Sequence, residues 1–157
     1  MRTLNYLLLI IMLIVQFLFS SCRNERKIEH EYLKEALKFE NVGSEIKWVV
    51  ILPGLGCNGC IQEGEAFLKE QYNDTKILFI VTRISSIKIL QQKTGVKLDE
   101  HKNIKVDKEN RFSIPSGNSI FPCIVYIMTN GDIKHEFQSP NNSKAFINLR
   151  KQLKQKE

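Results

Sequence analysis

The chain has 157 residues, a net charge of +6 at pH 7, and 43% apolar and 25% charged residues. That length suits one domain of common size plus a targeting segment, and the proportions exclude a disordered chain or a multi-span membrane protein. The basic residues are scattered among acids, apart from Arg150, Lys151, Lys154 and Lys156, and no nucleic-acid motif accompanies them. They predict a solvated helix face, so no nucleic-acid partner is expected.

Residues 1–21 differ from the rest. Arg2 is followed by an apolar run over 6–19 (YLLLIIMLIVQFLF), broken only by Gln16, and then by Ser20, Ser21 and Cys22. The run is short for a hydrocarbon core of about 30 Å and fits the apolar region of a signal peptide. Small residues directly before a cysteine resemble the lipobox of bacterial lipoproteins, with Phe19 where that pattern usually has Leu. The resemblance implies cleavage before Cys22, a lipid on its sulfur, and a mature protein held at the cell envelope. The reading divides the chain into a signal peptide (1–21), a tether with a possible helix (22–45) and a domain (46–157).

Leu33, Ala36 and Leu37 have helical spacing, which predicts a helix over 28–39. Residues 46–52 (IKWVVIL) form a β-branched apolar run and predict a buried strand, with Trp48 in the core. A helix over 57–72 and a second buried strand over 76–82 (KILFIVT) follow. Strand, helix, strand predicts parallel pairing. Ser85 or Ser86 can cap a helix that runs to Thr94, and Gly95 suits its end. A short strand is expected over 103–107, a polar loop over 111–119, and a third strong strand over 123–129. Asn130-Gly131 predicts a tight hairpin turn, because both residues tolerate positive φ. The chain then returns over 133–137 and ends in a helix through Leu153, capped by Asn141 or Asn142. There is no internal repeat. His30, His101 and His135 lack ligand spacing and are expected at the surface.

The chemistry is expected at Gly56-Cys57-Asn58-Gly59-Cys60, where a buried strand passes into a helix. The first turn of a helix exposes unpaired N–H groups and partial positive charge, both of which favour a thiolate. Cys57 at the helix start is expected to attack, and Cys60, one turn in, to resolve the mixed disulfide. A bond between residues so close adds little loop-closure stability, so a redox or metal-binding role outranks a purely structural one. Phe121-Pro122 directly precedes the third strand, where a proline is tolerated because it donates to no ladder.

The succession of strand, CxxC, helix, strand, helix, Pro-strand, Asn-Gly hairpin, strand and helix over 46–153 resembles the thioredoxin fold. That implies an α/β domain with a central mixed β-sheet flanked by helices. It also implies that Phe121-Pro122 is the cis-proline loop that lies against the CxxC and helps to bind substrate backbone. Cys60-Ile61-Gln62-Glu63 is similar to the TlpA-like branch of membrane-tethered thiol–disulfide oxidoreductases, in which a glutamate at the place of Glu63 lies near the cysteines. The resemblance implies exchange with exported protein thiols or disulfides on the periplasmic side, a further redox partner, and no cofactor or resident metal. The chain departs from the family pattern in having Gly56 before the first cysteine and Asn58-Gly59 between the two. Two other readings share these residues: soft-metal binding, such as Cu(I) on Cys57 and Cys60, with Cys123 as a further thiolate, and a redox-inert scaffold.

With Cys22 as the lipid anchor, Cys22→Ala should abolish incorporation of a radiolabelled fatty acid and leave an uncleaved or soluble protein; labelling that survives the change excludes the anchor.

Overall fold

Trp48–Pro53 (β1) and Ile77–Thr82 (β2) are buried at every position in the computed structural model, which describes residues 25–155. Such uninterrupted apolar runs suit strands covered on both faces. β1 and β2 pair in parallel, with Val50 opposite Phe79, and Ile104–Asp107 (β3) continues the parallel pairing beside β2. On the other edge of β1, Cys123–Ile127 (β4) runs antiparallel, with Val50 opposite Ile124. Ile133–Phe137 (β5) pairs antiparallel with β4. The five-stranded mixed sheet therefore has the order β3-β2-β1-β4-β5, with β1 in the centre.

Four helices cover it. One, α1, occupies residues 25–39. Asn58–Gln71 (α2), Ile87–Thr94 (α3) and Ala145–Lys154 (α4) follow. Alternation along β1 divides the core. Trp48, Val50 and Leu52 face Phe67 and Leu68 of α2, Leu90 of α3, and Phe146 and Leu149 of α4. Phe67 sits between Phe79 and Phe146, with ring centroids 6.0 and 5.0 Å away. Val49 and Ile51 face the other way, toward Leu33 and Leu37 of α1 and toward Phe112 and Ile114. Among the described residues no helix is long and apolar enough to cross a membrane.

Local signals set several boundaries. The Ser86 side chain accepts from the Ile89 N–H, and Gly95 closes α3 in the left-handed region. Others yield to tertiary contacts. The expected tight Asn-Gly turn is a longer one: Gly131 alone of the pair takes positive φ, at 78°, and the Asn130 side chain accepts from the Asp132 N–H at 3.0 Å. Neither Asn141 nor Asn142 caps α4. Lys144 stands at that position without a side-chain cap, and the Asn142 amide donates to Glu136 instead.

His135 is the larger correction. The expectation of a surface histidine fails because α1 lies over its face of β5. His135 is 5% exposed, and its Nε2 stands 3.3 Å from Oε2 of Glu29, itself 3% exposed. Burial lowers the imidazole pKa, and the Glu29 carboxylate opposes that only in part. As pH falls below about 6.5 the unfolded chain therefore gains this proton before the folded one, and stability is lost with acidification. Denaturant melts between pH 7 and 5 should show that loss, and His135→Gln should flatten it; an identical slope in the variant removes His135 as its source.

Candidate functional site

β1 ends at Pro53, and a tight turn leads from it into α2. Both glycines of that turn are set by close backbone neighbours. A Cβ at Gly54 would lie 2.7 Å from the Arg83 carbonyl oxygen. A Cβ at Gly56 would lie 2.1 Å from the Ile120 carbonyl oxygen, and Gly56 has a φ of 151°, which only glycine adopts without strain. Cys57 occupies the N-cap of α2 in extended geometry. Its N–H donates to the Ile120 carbonyl at 3.1 Å, and its own carbonyl accepts from Ile61 at 2.9 Å.

Cys57 and Cys60 are joined in a disulfide with a Cα–Cα distance of 5.3 Å, within the ordinary range. Cys57 is half-buried; Cys60 is 8% exposed. The first turn of α2 contains no acidic side chain, so no carboxylate competes there for its N–H groups and positive end. On reduction, that end favours negative charge on sulfur.

Phe121 and Pro122 directly follow Ile120, whose carbonyl accepts the Cys57 N–H, but the bond between them is not in the expected form: no cis peptide bond exists among the described residues. Phe121 takes φ −108° and ψ 145°, the extended region favoured before proline, and its N–H bonds to the Asn118 carbonyl at 3.0 Å. The Phe121-Pro122 bond is trans, the commoner form before proline. Pro122 is buried, and its Cγ would lie 3.4 Å from a Cβ on Gly64, one turn beyond Cys60. Phe121 is half-exposed. Leu55 and Ile120, 55% and 40% exposed, flank the cysteines with apolar surface.

Glu63 is exposed and ion-paired across the surface with Nη1 of Arg150 at 3.5 Å, while Arg150 is also bonded to Glu70. Cys123 is buried on the face opposite α2, among Val49, Ile51 and Val125. The alternation of β4 turns its thiol away from the disulfide. Burial, with the Glu29 and Glu136 carboxylates, pushes its pKa up and keeps it a thiol. Among the described residues no three His, Cys, Asp or Glu side chains are grouped to hold a metal ion. Cys22 lies outside the described residues.

Three contributors escape the sequence reading. Ile120 acts through its main-chain carbonyl, which no side-chain pattern announces. Arg83 takes a left-handed conformation at φ 52°, its N–H held by the side chain of Asn110, which is left-handed too at φ 55°. Its guanidinium donates to the Ser119 carbonyl at 3.4 Å. Glu29 had one available signal: it lies four residues before Leu33, on the apolar stripe of α1.

No protein-family model matches the chain, and no curated protein or solved structure is significantly similar to it. Gly56→Ala should cost at least about 2 kcal/mol and separate the α2 start from Ile120; an unchanged denaturation midpoint and unchanged protection of the Cys57 amide from exchange would contradict this packing.

Proposed function

We propose that the chain is a thiol–disulfide oxidoreductase of thioredoxin-like fold, tethered through a lipid on Cys22 and acting on exported protein thiols or disulfides. One observation carries the reading: a Cys57–Cys60 disulfide at the N-terminus of α2, with one sulfur half-buried and the other shielded. The central position of β1, the parallel β1–α2–β2 unit and the antiparallel β4–β5 hairpin support the fold assignment. The trans Phe121-Pro122 bond departs from that family's pattern, although the loop still lies against α2.

The chemistry is a two-electron exchange. In the reductive direction the Cys57 thiolate attacks one sulfur of a substrate disulfide. A mixed disulfide forms, and the departing substrate thiolate takes up a proton. Cys60, deprotonated, then attacks the Cys57 sulfur, the second substrate thiolate leaves, and the Cys57–Cys60 bond closes. The substrate has gained two electrons and the protein has lost them. A dithiol partner restores the reduced pair. Oxidation of a substrate dithiol runs the same steps in reverse and needs a disulfide partner. The exposed Leu55 and Ile120 give a polypeptide substrate apolar surface beside Cys57.

The test is trapping. In the reduced protein Cys57 should react with iodoacetamide near neutral pH before Cys60. Cys60→Ser should accumulate a mixed disulfide with its partner, and Cys57→Ser almost none. A reversed pattern exchanges the two roles; no trapped species from either variant, with neither thiol faster than an ordinary one, refutes the enzyme.

A further inference from the structure

The connection from β3 to β4, residues 108–122, contains one regular element, the 3-10 turn Gly117–Ile120. Connections this long are uncommon in small domains unless they serve a function. Two carboxylates hold it. At its start Asp107 accepts from the main-chain N–H groups of Arg111 and Phe112 at 3.0 and 2.8 Å. Near its end the carboxylate comes from the far side of the chain. Glu29 of α1 accepts from Ser116 Oγ at 2.6 Å and from Asn118 Nδ2 at 2.8 Å, both on Oε1, while Oε2 faces His135.

Burying a carboxylate costs several kcal/mol even after relaxation, and an apolar residue of similar size often serves stability as well or better. A leucine at 29 would simply extend the Leu33–Leu37 stripe. What a leucine cannot do is fix the direction of two polar side chains in the facing turn. That turn bears on the disulfide. Two residues beyond Asn118, the Ile120 carbonyl accepts the Cys57 N–H, and the Pro122 ring lies against α2 at Gly64.

We propose that Glu29 is a positioning residue of the Cys57–Cys60 site: by holding Ser116 and Asn118 it fixes the turn that covers the start of α2, and so shields Cys60 in the reduced protein. The proposal rests on the thiol–disulfide reading. It assigns to α1 a part in the redox site, with no contact between Glu29 and either active-site sulfur.

The experiment measures alkylation of Cys57, Cys60 and Cys123 separately, by peptide mass spectrometry, in the reduced full chain, together with its equilibrium against a glutathione buffer. Cys123 is the internal control in the Ser116→Ala, Asn118→Ala double variant, since its strand is paired on both sides and general unfolding exposes it along with the rest; Glu29→Leu also removes a carboxylate that raises the Cys123 pKa, so there the control is the denaturation midpoint. Glu29→Leu should raise Cys60 alkylation about tenfold, and should move the glutathione equilibrium constant threefold or more. The double variant Ser116→Ala with Asn118→Ala should do the same with Cys123 unchanged, and decides the matter if Glu29→Leu does not fold. Glu29→Gln keeps an acceptor oxygen and should stay within twofold of the parent. In the double variant, parent-like Cys60 reactivity or a parallel rise at Cys123 overturns the positioning role. A parent chain whose Cys57–Cys60 pair does not exchange with glutathione overturns the redox reading, and this proposal with it.

Discussion

β1 is paired along both edges and covered on both faces, and this confinement fixes everything that follows it in the chain. Its parallel neighbour β2 brings Arg83 and Ile84 against Gly54, and its antiparallel neighbour β4 brings Ile120 and Pro122 against Gly56 and α2. The turn from β1 into α2 is thus clamped from both sides by backbone, and glycine is required where each clamp closes. Cys57 emerges from that turn with its N–H already engaged. The cysteines lie where the carboxyl ends of two parallel strands meet the amino end of an antiparallel one, a crevice that open sheets of this type commonly use for ligands.

The two faces of the sheet are built differently. The face under α2 and α4 is apolar, filled by Phe67, Phe79 and Phe146. The face under α1 combines aliphatic contacts with a buried polar group of Glu29, His135, Ser116 and Asn118. Among the described residues every buried side-chain nitrogen and oxygen has a hydrogen-bond partner. A satisfied network of this kind is more directional than apolar packing, and it is what an irregular connection needs if it is to hold one shape.

The sequence discloses what local chemistry decides. The β-branched runs of β1 and β2, the Ser86 and Gly95 caps, and the passage from strand to helix at the CxxC are all written in neighbouring residues. The rest depends on contacts that form only in the folded chain. His135 looks like an ordinary strand residue until α1 covers it. Glu29 is one acid among several in a charged helix, and its burial follows only from the approach of residues 116–118. Asn142 has the chemistry of a cap, but Glu136 offers it a different bond. The trans Phe121-Pro122 bond has no mark of its own in the sequence, where an X-Pro pair reads the same in either form. Cys123 opens an apolar strand, but which face it occupies becomes clear only with the register of β4.

The docking of α1 has a consequence for where the protein can work. Glu29 is locked into the sheet, and only six residues separate it from Cys22. Even fully extended, the seven Cα–Cα steps from 22 to 29 reach no more than about 25 Å, and the stretch from 25 onward is helical and shorter still. With a lipid on Cys22, as proposed, the domain has no long leash on which to sweep the surrounding solution. Under that anchor its operating radius would be about its own diameter, and it would meet its partners only at the bilayer surface, in a layer hardly thicker than itself.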